Sequence, residues 1–121
     1  MTNLYIFARG VNGFFGFTTL LGVLWFADAP GGQAFIVPGL LLGFSSLVVA
    51  FIPQRKLSSG TTRRTLVTLC VIGAGAGLVL VADNFSASGG IEWDVVAMNV
   101  LHIAALATMA VIALLRPPES A

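Results

Sequence analysis

Four apolar runs, each near the length that crosses a bilayer, leave this chain few ways to fold. They cover about Leu4–Ala27, Gln33–Ile52, Thr65–Ala82 and Val95–Leu115. A membrane span needs about 20 mostly apolar residues. Inside lipid, backbone N–H and C=O groups find no water, so only helices and closed barrels are viable. Four continuous runs in a chain this short cannot close a barrel. The expectation is therefore all-α: an integral membrane four-helix bundle, one transmembrane domain over residues 1–121. Composition agrees, because only 9% of the residues are charged, against about 25% in soluble domains. Too little polar surface remains to cover a water-soluble globule.

The loop Pro53–Arg64, PQRKLSSGTTRR, sets the direction of the runs. It holds Arg55, Lys56, Arg63 and Arg64, and the other basic residues, Arg9 and Arg116, fall at run ends on the same side. Asp28, Asp83, Glu92 and Asp94 fall on the opposite side, and Glu119 in the tail is the one acid on the basic side. Basic residues in short loops stay cytoplasmic, so both termini are expected inside, in a bacterial cytoplasmic membrane. Trp25 and Trp93 then sit at the outer interface, where aromatic belts form. The N-terminus lacks the basic-then-apolar order of a cleaved signal and reads as a retained span. A net charge of +1, with its cations confined to membrane-proximal segments, offers no basic surface for nucleic acid. The single cysteine, Cys70, lies inside an apolar run and reads as a small core filler.

Small residues mark the faces where helices meet. In the first run Arg9, Asn12, Gly13, Gly16 and Thr19 share one stripe at the helical period, and Phe14, Phe17, Leu21 and Leu24 share another. The first suits helix contact, the second lipid. Gly39 and Gly43 in the second run, and Gly73 and Gly77 in the third, have the four-residue spacing of close helix packing. Pro38 is expected to kink the second helix. Ser45 and Ser46 can bond back to their own helix. The segment IGAGAG is no nucleotide loop, because such a loop follows a strand and opens a helix in water. A faint repeat relates Phe26-Ala27-Asp28 with Gly31-Gly32 to Val81-Ala82-Asp83 with Gly89-Gly90. Two parallel hairpins would give that pattern.

The fourth run carries the residues that most invite a chemical reading. Met98, Asn99, His102 and Met109 fall on one face. His102 is the only histidine and sits mid-run, and an ionisable residue at that depth is a functional hypothesis by default. One imidazole supplies one axial haem ligand, and the two methionines add soft donors of the kind copper takes. Met109 is about two turns from His102, too far to close a mononuclear site with it. The structural reading is a neutral imidazole hydrogen-bonded within the bundle, with Asn99 one turn away as packing glue. No catalytic set can be assembled, and no metal site is expected.

Ala8-Arg9-Gly10, followed by a glycine-dotted apolar helix that closes with Asp28-Ala29-Pro30, resembles the opening of the small four-helix DoxX-like membrane proteins. The likeness covers about the first 30 residues. It implies four spans, and some members of that group serve as membrane subunits of quinone-linked oxidoreductases; no functional residue carries over. Three function classes follow. The favoured one is a non-catalytic accessory subunit, with the lipid bilayer and other membrane subunits or copies of itself as partners. The second is a homo-oligomeric transporter or channel, disfavoured because no acid lies inside a span. The third is a haem- or quinone-holding anchor.

Overall fold

The structure is a computed structural model that describes residues 2–28, 33–86, 90 and 92–115. It contains helices α1 (Thr2–Phe26), α2 (Gln33–Ala50), α3 (Gly60–Ser86) and α4 (Trp93–Leu115), with a 3-10 turn at Gln54–Ser58. Each helix packs on its neighbour in the chain, and α1 also meets α4, so the four close into a ring. Three helices are long and apolar enough to cross a membrane: α1, α3 and α4. At 18 residues α2 is shorter; at 1.5 Å per residue it extends about 27 Å, against about 30 Å of hydrocarbon. Turn residues 29–32, Gly89, Arg116 and Glu119 lie outside the described residues; they include parts of the repeat and of the charge pattern.

The apolar side chains face both inward and outward. Leu42, Val49, Leu66, Leu106, Met109 and Ile112 fill the interior, and Phe14, Phe17, Leu24, Val71 and Leu101 stand on the outside. Glycine sets the contacts between helices. A Cβ on Gly16 would lie 3.0 Å from the Gly43 carbonyl and 3.1 Å from the Leu47 amide, so α1 and α2 touch backbone to backbone there. Gly39 and Gly43 receive Val23 and Leu20 of α1, and Gly73 and Gly77 receive Leu106 and Ile103 of α4. Gly13 meets Ala50 at ordinary contact distance. These pairings run antiparallel, which puts the N-terminus of α1, the end of α2, the 3-10 turn and the start of α3 together. Asp28, Asp83, Glu92 and Asp94 lie at the other end, with exposed Trp25 and Trp93.

Element boundaries follow hydropathy only partly. The apolar run begins at Thr65, yet α3 begins at Gly60 and takes Arg63 and Arg64 into the helix. Ser59 supplies the reason. Its carbonyl accepts the Arg63 amide at 3.0 Å, and its hydroxyl accepts the Thr62 amide at 3.4 Å. A serine before a helix satisfies amides that have no intrahelical acceptor. Pro38 lies inside α2 without ending it.

Candidate functional site

The polar groups inside the bundle gather on α1, α2 and α4. Asn12, Ser45, Ser46 and His102 are the buried polar side chains among the described residues. Asn12 is on the small-residue stripe of α1, Ser46 stands beside the Gly16 contact on α2, and His102 faces inward from α4. Ser46 Oγ and His102 Nε2 share a hydrogen bond of 2.5 Å. With the ring proton on Nδ1 the hydroxyl donates; with it on Nε2 the ring donates. On its face the imidazole stacks against Phe15 of α1, centroids 5.3 Å apart and planes 24° apart. His102 therefore joins α4 to α2 by its edge and to α1 by its face.

Asn12 is the second link. Its Nδ2 donates to the Ala8 carbonyl at 2.9 Å and to the Ala105 carbonyl of α4 at 3.2 Å. Its Oδ1 is buried and accepts no hydrogen bond from the protein. Asn99 is placed differently: half-buried, it donates to Val95 of its own helix at 3.1 Å. The amide that crosses between helices is thus Asn12. Met98 points outward while Met109 is fully buried, so the two methionines do not converge on His102. No group of three or more His, Cys, Asp or Glu suited to a metal occurs among the described residues. For haem, His102 Nε2 faces Ser46, and iron on that nitrogen would have to part it from the hydroxyl.

The basic end is organised by carbonyl capping. Tyr5 donates its hydroxyl to the Ile52 carbonyl at 2.7 Å, and Arg9 donates Nε to the Ala50 carbonyl at 2.8 Å. Both acceptors lie where α2 runs out of intrahelical donors. Arg9 thus reads as an anchor that ties α1 to the end of α2.

Between α1 and α4 the surface carries an apolar groove of about 350 Å³, lined in part by Phe7, Val11, Phe15, Leu101, Ala104 and Thr108. A second hollow of about 340 Å³ adjoins it on the outer face of α1, around Gly10 between Phe7 and Phe14. Nothing stands within 4 Å of the space a Cβ on Gly10 would take. Phe15 lines both hollows and separates them from His102.

The His102 contacts give a sharp mutational expectation. His102→Gln keeps a donor and an acceptor at similar reach and should preserve assembly. His102→Leu should lower stability by about 0.6–2 kcal/mol, the range of interhelical polar contacts in membranes. Adding Ser46→Ala to His102→Leu should then cost little more, since the pair is already broken. Thermal unfolding in detergent measures all of these, and a Gln variant as damaged as Leu would contradict the hydrogen-bonding role.

No protein-family model matches the chain, and no curated protein or solved structure is similar to it at a significant level.

Proposed function

We propose that the protein is an integral membrane subunit without catalytic activity, four spans with both termini cytoplasmic, which works by packing on another membrane protein or on its own copy. The observation that carries this reading is the outer face of α1. There Phe7 and Phe14 flank the open Gly10, and the hollow between them continues into the α1–α4 groove. A glycine notch between large side chains is the shape that receives a knob from another helix, and small residues permit such close approach in membranes. The polar interior supports the same reading, because His102 and Asn12 tie helices to each other. The DoxX-like opening is compatible with a subunit role.

Photo-crosslinking from the native membrane tests it. A crosslinking residue at Phe7 or Val11 should give an adduct of defined mass, a homodimer or one partner. The same residue at Val71 or Leu78, exposed on α3, should give none. Equal adduct patterns from both helices would overturn the assignment of this face.

A further inference from the structure

We propose that the 3-10 turn and the first turns of α3 form a binding site for the phosphate of an anionic phospholipid. The proposal rests on the membrane reading of the chain but not on which helix face meets a protein partner. Arg55, Lys56, Arg63 and Arg64 lie within ten residues of one another at one end of the bundle. Among the described residues every carboxylate, Asp28, Asp83, Glu92 and Asp94, is at the opposite end. Among the described residues no carboxylate stands beside these cations as a counter-charge.

Two of the cations stand where the helix itself disfavours them. Arg63 and Arg64 lie at the start of α3, which has no acid in its first turn. The N-terminal end of a helix carries partial positive charge, so arginines there add like to like. An anion bound at that place reverses the sign of the interaction. Arg63 adds a more specific sign. It is half-buried, and its Nη1 has lost its water without gaining a partner. Held there Arg63 has no charged acceptor, and a phosphate is the acceptor its fork geometry fits once the side chain turns to the surface.

The surroundings select a lipid over a free anion. Leu57 is buried and holds the turn to the bundle, while Phe51, just before the turn, is 78% exposed. An exposed aromatic side chain thus lies four residues before Arg55 in the chain, of the kind that acyl chains can cover. A molecule with a phosphate and two hydrocarbon tails matches both parts, and anionic lipids gather at basic segments beside membrane helices.

Native mass spectrometry of the delipidated full chain tests the site. Dioleoylphosphatidylglycerol, dioleoylphosphatidylcholine and inorganic phosphate are the probes. The phosphatidylglycerol should be retained at least tenfold better than the phosphatidylcholine. Arg63→Gln should cut that retention at least fivefold, and Arg63→Lys, which keeps charge but loses the fork, should cut it less. Should Arg63→Gln fail to fold by circular dichroism, Lys56→Gln/Arg64→Gln is read instead and should lower retention two- to threefold. Equal retention of the two lipids, or full retention by the glutamine variants, would overturn the proposal. Displacement of the lipid by millimolar phosphate would also overturn it, marking a soluble-anion site.

Discussion

Gly16→Val should be the most disruptive single change on the contact stripe of α1, although it only adds apolar atoms. The new Cβ would stand 3.0 Å from the Gly43 carbonyl and 3.1 Å from the Leu47 amide, both backbone atoms that no rotamer change can move. Helices α1 and α2 would have to separate, carrying the Ser46–His102 contact with them. Overpacking of a close contact costs about 1–3 kcal/mol, and the upper end is expected here. Gly77→Ala should be milder, because its tightest neighbour is the Ile103 side chain. Gly10→Ala and Gly75→Ala, both open, should be neutral or gain up to about 1 kcal/mol from helix propensity. Thermal unfolding in detergent gives the ranking. A Gly16→Val protein as stable as Gly10→Ala would show that α1 and α2 do not meet at this point.

Asn12→Asp should be comparably severe for an electrostatic reason. The amide and the carboxylate have the same shape, so packing is preserved. The change replaces the NH₂ that faces the Ala8 and Ala105 carbonyls by an oxygen. Ionised, that oxygen is a buried charge against two carbonyl dipoles; protonated, it can donate to only one of them. Uncompensated buried charge costs about 3–5 kcal/mol. Asn12→Leu should cost less than Asn12→Asp, because it loses the α1–α4 bond but also removes the orphaned Oδ1. Melting both variants at pH 5 and pH 8 decides the matter: the Asp variant should be more stable at pH 5, where its neutral form is favoured, and Leu should be indifferent. Two Asp melts that coincide would show that Asn12 is not sealed in the bundle.

The helical architecture was legible because span length and the 3.6-residue period are properties of the sequence itself. The division of α1 into a contact stripe with Asn12 and Gly16 and an outer stripe with Phe14, Phe17 and Leu24 needs nothing else. The partners of the polar groups were not legible in that way. The sequence favours Asn99 as the packing amide, and only the rotation of α1 and α4 shows that Asn12 reaches across while Asn99 bonds to its own helix. Ser46 read as a hydroxyl bonded to its own helix, yet it meets His102 56 positions further on. The start of α3 was obscured for another reason. Hydropathy reports where lipid is tolerated, whereas Ser59 capping reports where the backbone winds, and the two differ over Gly60–Arg64.

The two bonds by which Tyr5 and Arg9 reach the end of α2 also bear on how the chain is made. A helix entering a bilayer carries terminal carbonyls that some donor must satisfy. Here both donors belong to α1, the helix that precedes α2 in the chain. Together with the Gly16–Gly43 contact, they make α1 and α2 a hairpin whose basic end needs nothing from α3 or α4. The second hairpin can then be added to a finished template, with Gly73 laid beside Ser45. Assembly in that order brings together mostly near neighbours in sequence and leaves the joining of α4 to α1, through Asn12 and Phe15, as the step that closes the ring.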